Sequence, residues 1–225
     1  MPVTENPLTG ASSAIDDSSY TAASITPGAN RLVLAAVTNT KATLPDTPTI
    51  SGNGLTWVQL ATVTFDTIAS PLKRTTLFRA LGASPTAGTP IIDFAGTAQT
   101  GCIWSFAEFI DVDTGGTNGS AAVVQSATNS ANTGVSLTVT LAAFGSTDNA
   151  TYGAFGSNAN IRTDPGTDFA EIHDTGIALA PVANLETEWR NDNDTSVDAS
   201  ANDAGNKRWG GIAVEIKFAA AGGAA

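Results

Sequence analysis

Residues 135–141 read Val-Ser-Leu-Thr-Val-Thr-Leu, with an aliphatic residue at every second position. Such alternation puts the apolar side chains on one face of a β-strand and the hydroxyls on the other. Working outward, residues 55–64 alternate as well, with Leu55, Trp57, Gln59, Ala61 and Val63 on one face and Thr56, Val58, Leu60, Thr62 and Thr64 on the other. Residues 31–38, Arg-Leu-Val-Leu-Ala-Ala-Val-Thr, are nearly continuous in apolar character, as in a strand buried on both faces. Residues 102–110 carry Trp104 and Phe106 in step but Phe109 and Ile110 out of step, so a bulge or bend is expected near Glu108. The stretches Ile-Thr-Pro-Gly-Ala-Asn at 25–30 and Gly-Asn-Gly at 52–54 are turns, because proline presets φ and glycine tolerates positive φ. No window shows a helical apolar stripe. The sequence therefore predicts an all-β sandwich of two antiparallel sheets with about ten strands. It is read as a single domain over residues 12–218, with a polar extended arm at 1–11 and a flexible Ala/Gly tail at 219–225.

Composition agrees with that class. Of 225 residues 14% are charged, against roughly 25% in ordinary soluble domains. Neutral polar residues, with 32 threonines among them, take over solvation, while 22 glycines and 10 prolines supply turns. The balance excludes a helical bundle and a coiled coil. Ten Lys+Arg against 21 Asp+Glu leave a net charge of -11, which repels phosphate, so nucleic acid and anionic membrane surfaces are not expected partners. No apolar run approaches the roughly eighteen residues of a membrane span. The N-terminus has no signal-peptide pattern, so the expectation is a protein made and kept in the cytoplasm, or one that leaves by a route needing no N-terminal signal. Cys102, the one cysteine, lies in an apolar run and reads as a small core residue.

Few residues offer chemistry. His173 is the only histidine, and no Gly-x-Ser-x-Gly elbow accompanies it, so catalysis is not expected. One His and one Cys cannot complete a zinc site of His and Cys ligands. The carboxylate pairs Asp111/Asp113, Glu186/Glu188 and Asp192/Asp194 could serve glycoside hydrolysis. Pairs arise freely in so acidic a chain, and Glu186/Glu188, at strand spacing, is expected to solvate a sheet face. The run Asn191-Asp192-Asn193-Asp194-Thr195-Ser196-Val197-Asp198 alternates oxygen ligands in a manner suited to Ca²⁺, with Asp192, Asp194 and Asp198 as the candidates and residues 164–168 as a second place to look. It lacks the glycine and terminal glutamate of a calcium loop, so a solvated acidic turn is the favoured reading and no cofactor is expected. Trp189 and Trp209 flank this loop, each beside an arginine; core residues or braces of the loop ends is the favoured reading, and a sugar-stacking platform the alternative.

Four fragments occur in a telling order: Pro27-Gly28-Ala29-Asn30-Arg31-Leu32-Val33-Leu34-Ala35-Ala36-Val37, Ser51-Gly52-Asn53-Gly54-Leu55-Thr56-Trp57-Val58, Cys102-Ile103-Trp104-Ser105-Phe106-Ala107-Glu108-Phe109, and Glu186-Thr187-Glu188-Trp189-Arg190 followed by Lys207-Arg208-Trp209-Gly210-Gly211-Ile212-Ala213-Val214-Glu215-Ile216. Together they resemble the jelly-roll (concanavalin-like) β-sandwich modules of phage structural proteins and large bacterial surface proteins. The resemblance spans roughly residues 12–218. It implies a building or binding role and no reaction. The expectation is a capsid decoration (cement) protein of a phage virion, assembled in the host cytoplasm. Its expected partners are the major capsid protein or other virion proteins, contacted partly through the arm at 1–11. A homotrimer is the implied assembly. The alternative is a tail-fibre or cell-surface module that binds carbohydrate or a receptor.

Overall fold

The chain is described by a computed structural model over residues 2–68 and 72–219, so the expected tail lies, but for Ala219, outside the described residues. The first half contributes β1 (Thr4–Ser13), β2 (Ser19–Thr21), β3 (Leu32–Lys41), β4 (Thr49–Ser51), β5 (Val58–Phe65), β6 (Leu72–Ala80), β7 (Ile91–Asp93) and β8 (Gly101–Ile110). The second half contributes β9 (Val123–Ala131), β10 (Ser136–Thr140), β11 (Ala150–Ser157), β12 (Thr163–Asp164), β13 (Ala170–Ile177), β14 (Ala183–Arg190), β15 (Ser196–Ala201) and β16 (Trp209–Ile216). The fold is an all-β sandwich of antiparallel sheets, and no helix occurs among the described residues. Sixteen strands occur among the described residues where the turn spacing led to about ten, five of them only two to five residues long.

The strands form four stacked layers. An outer sheet β2-β7-β4 covers the inner sheet β1-β8-β3-β6-β5, which packs on a second inner sheet β13-β14-β11-β16-β9, covered in turn by β10-β15-β12. Numbered from its own first strand, each half has the same order: 1-8-3-6-5 against 2-7-4. Strands 1-8-3-6 facing 2-7-4 is the winding of a jelly roll; the fifth strand, which would complete the smaller sheet, instead extends the larger one. The expected single pair of sheets is thus present twice.

Finer detail repeats as well. β5 is bulged opposite β6 between Gln59 and Ala61, which face Phe78 and Leu77. β13 is bulged opposite β14 between Glu171 and His173, which face Glu188 and Thr187, at the same step along the ladder. The halves meet in exchanged pairs: β1 on β13 and β5 on β9, β8 on β13 and β16 on β5, β3 on β14 and β11 on β6. A two-fold axis between the inner sheets, parallel to the strands, produces this exchange. It preserves strand polarity, so the loops following odd-numbered strands of both halves open at one end of the molecule. Ser12 Oγ donating to Gly176 O at 2.9 Å and the 2.7 Å Arg208–Asp66 ion pair tie the halves together there.

Burial follows the layers. β3 is buried on both faces as expected, with Leu32, Leu34 and Ala36 in the central core and Ala35 and Val37 in the core of the first sandwich. β8 behaves likewise: Ile103, Ala107 and Phe109 face the centre, Cys102, Trp104 and Phe106 the outer sheet. No bulge is therefore needed within β8 near Glu108; both faces are apolar, and the irregularity lies on its neighbour β1, between Pro7 and Thr9. In β10, Leu137 and Val139 alternate with exposed neighbours and enter the core of the second sandwich. Residues 4–11, expected as part of an extended arm, belong instead to the edge strand β1, which pairs along β8 from Thr4↔Ile110 to Ser13↔Cys102. Val3 anchors the start of this segment, fully buried in the central core.

Candidate functional site

The acidic loop after β14 folds around one cation. Arg190 donates from Nη1 to Asp194 Oδ2 at 3.1 Å and from Nη2 to Asp192 Oδ2 at 3.5 Å, with Asp168 Oδ2 at 3.9 Å. Backbone N–H groups take further oxygens: Asn193 N donates to Asp192 Oδ1 and Ser196 N to Asp194 Oδ1. Thr151 closes the turn, its hydroxyl donating to Asp192 O and accepting from Asp194 N, both at 2.9 Å. Asp198 lies apart on β15, opposite Thr138. Asp192, Asp194 and Asp198 are thus not gathered around a common point, and no cluster of three His, Cys, Asp or Glu side chains placed to hold a metal occurs among the described residues. The loop is an arginine-clamped turn. Asp164, the other place considered, faces Arg162 at 3.3 Å.

Trp189 and Trp209 do not form a platform. Trp209 has no exposed surface; it lies in the core of the second sandwich and its Nε1 donates to Gly134 O at 2.9 Å. Trp189 faces the opposite side of its sheet and packs edge-on to Phe109 in the central core. Their separation on two faces follows from strand alternation, which flanking positions in the sequence conceal. Arg208, beside Trp209, reaches the buried Asp66, which also holds Lys73 at 2.6 Å.

Glu186 and Glu188, expected to solvate a sheet face, do not. Both are fully buried, facing the core of the second sandwich and not solvent. Glu188 Oε2 accepts from Gly166 N at 2.7 Å, while its Oε1 and both oxygens of Glu186 have no hydrogen-bond partner among the described residues. Burial, aided by the charges of Asp198 and Asp194, pushes Glu188 up to about 8. Burial and then the neighbouring Glu188 hold Glu186 well above the usual carboxylate range. Burial thus favours the protonated form of both acids.

His173 meets Ser105 across the halves, Nδ1 to Oγ at 2.9 Å, and Ser105 Oγ also meets Thr187 Oγ1 at 2.8 Å. Ser105 is 2% exposed and lies mid-strand between the inner sheets. Burial lowers the His173 pKa. The trio pins the two sandwiches together as a polar bridge within an apolar interface.

A cavity of about 700 Å³ opens at the opposite end of the molecule from the loops after odd-numbered strands. Ala121, Val124 and Phe218 line it with apolar surface, and the nearly buried Glu215 and Asn149 also border it. Asp148 is exposed at its margin, and Lys217 there is held by Asp113 Oδ2 at 2.8 Å. None of its lining residues stood out in the sequence. The available signal was the odd placement of an acid, Glu215, within the apolar run of residues 209–216.

No protein-family model matches this chain, and neither a curated protein nor a solved structure matches it.

Proposed function

We propose that this protein is a non-enzymatic structural component of a phage virion, a capsid decoration or cement protein that attaches by one end. The observation that carries the reading is the distribution of exposed aliphatic side chains. Of the seven large ones among the described residues, five (Ile15, Leu44, Ile68, Val135 and Leu179) lie in loops that follow odd-numbered strands. The two-fold relation of the halves directs all those loops to the same end. Apolar side chains on loops braced by a four-layer β body suit a protein contact, since their burial is worth about 1.5–3 kcal/mol each and needs no charge desolvated. The charged content is low, at 14%, which limits the desolvation cost of such a contact. Residues 4–13 cannot also reach a neighbouring subunit while they are paired in β1, so attachment belongs to the loop end. A homotrimer at local three-fold positions of the shell is the assembly proposed.

The test replaces Ile15, Leu44, Val135 and Leu179 by serine together and sediments the variant with undecorated phage heads. All four side chains are exposed, so the melting temperature is expected to stay close to that of the parent protein. Loss of binding by at least a hundredfold is the expected result. Undiminished co-sedimentation would remove the loop end from the attachment surface.

A further inference from the structure

Comparison of the two halves points to a site in the second that the first has already filled. Glu108 near the end of β8 and Glu215 near the end of β16 hold the same place. Each faces an amide residue across the ladder to its edge strand, Asn6 for Glu108 and Gln125 for Glu215, and each accepts a hydrogen bond from that amide. On the other side Glu108 pairs with Val33 and Glu215 with Thr151, through the neighbours β3 and β11. Two residues before those partners stand Arg31 and Asn149, which are therefore equivalent.

The difference lies in that last pair. In the first half, Arg31 Nη1 bonds Glu108 Oε1, and the turn preceding β3 closes over the acid, with Gly28 N donating to Oε2 at 2.8 Å. In the second half Asn149 Nδ2 donates to Glu215 Oε1 and Gln125 Nε2 to Oε2, both at 2.6 Å. Among the described residues Glu215 is held by neutral amides alone. A carboxylate has about four acceptor positions, and a buried one without a cation is costly. The 700 Å³ cavity is bordered by Asn149, the counterpart of Arg31, and by Gly145, Ser146 and Asp148 of the loop that leads into β11.

We infer that this cavity binds a guanidinium group carried on an aliphatic stem. The head would take the free acceptor positions of Glu215, as Arg31 does for Glu108, while the stem lies on Val124 and Phe218. The exposed Asp148 adds a second negative charge at the mouth, and Lys217 is already neutralised by Asp113. The cavity lies at the end away from the proposed attachment loops and does not depend on that role.

Amide shifts of the intact protein can be followed by NMR during titration with L-arginine and with L-citrulline, its uncharged analogue. Arginine is expected to move Ala121, Val124 and Phe218, and citrulline to bind at least tenfold more weakly. Glu215→Gln should weaken arginine binding tenfold or more. Asn149→Arg supplies the guanidinium from within the chain, so it should abolish the titration and raise the melting temperature. A third titration uses acetyl-Ala-Arg-Ala-amide: tighter binding than arginine assigns the site to an arginine of a protein partner, equal binding to the free amino acid. Equal response to arginine and citrulline, or an undiminished titration in folded Asn149→Arg protein, would overturn the inference.

Discussion

Glu188 stands where alternation asks for a core aliphatic, and its counterpart on β6 by ladder position is Phe78. That substitution of acid for ring gives the protein a pH response. A carboxyl with a pKa of about 8 when folded and near 4.5 when unfolded binds its proton more tightly in the folded state. The contribution of this group to stability is then full below pH 4.5 and is lost as pH rises through 8. Glu5, half-buried in β1 and raised to about 7 by burial, acts in the same direction. His173, lowered by burial, acts oppositely but only at and below its ordinary value of 6.5. Between pH 6.5 and 8 the acids therefore govern, and the buried Glu186–Glu188 pair is expected to lower stability across that interval. Glu188→Gln keeps the shape without the titration, so its denaturation midpoint should decline less across this range than that of the parent protein. Parallel curves for the two proteins would show that Glu188 is not the group responsible. The spacing of Glu186 and Glu188 was legible in the sequence; their burial was not, because the sheet face they share is closed by β15, whose contribution comes from Val197 and Ala199.

At the scale of strands, legibility followed contrast between faces. β10 declares itself because one face is apolar and the other carries hydroxyls. β3 and β8 also declare themselves, by continuous apolar runs that only a doubly buried strand tolerates. β1 does not. Its sequence, Thr-Glu-Asn-Pro-Leu-Thr-Gly-Ala-Ser-Ser, has two breakers and no period, and the bulge between Pro7 and Thr9 explains why. Pro7 is tolerated because β1 is an edge strand, where a missing N–H need not break a ladder. Gly10 is required by packing, since a Cβ there would lie 2.5 Å from the His173 ring. Propensity thus yields to tertiary contact over the whole strand. Deleting residues 2–11 tests this. It would strip the partner from β8 and remove Val3 from the central core. The expected loss exceeds about 5 kcal/mol, comparable to the whole stability of many domains, so cooperative melting by circular dichroism should disappear. A truncated chain that melts like the parent would make the segment a dispensable arm.

For the whole molecule, the repeat is plain in strand order and hidden in residue identity. When β8 and β16 are aligned by their ladders, residues 102–110 and 209–217 share only Glu108 with Glu215. Geometry constrains side-chain volume and polarity at each face but not identity, so Trp104 can correspond to Gly211 where Leu137 and Phe155 fill the space over the glycine. The same economy explains how the halves join. The central core is made from like faces of the two inner sheets, with Leu32, Leu34 and Phe109 against Tyr152, Leu185 and Ile212. Because a two-fold axis relates those faces, a sheet able to pack on its counterpart has the geometry to pack on a copy of itself. The second half alone, residues 114–219, would expose the apolar side chains Tyr152, Ala154, Leu185, Ile212, Val214 and Ile216. Exposed area of that kind drives association, at about 25 cal/mol for each Å² buried. This half is therefore expected to sediment as a dimer at micromolar concentration, with β9 of one copy against β13 of the other. Leu185→Asp, which places a charge at the centre of the shared face, should return it to a monomer or prevent folding. A wild-type half that stays folded and monomeric would show that the central core joins the sandwiches without being needed to cover them.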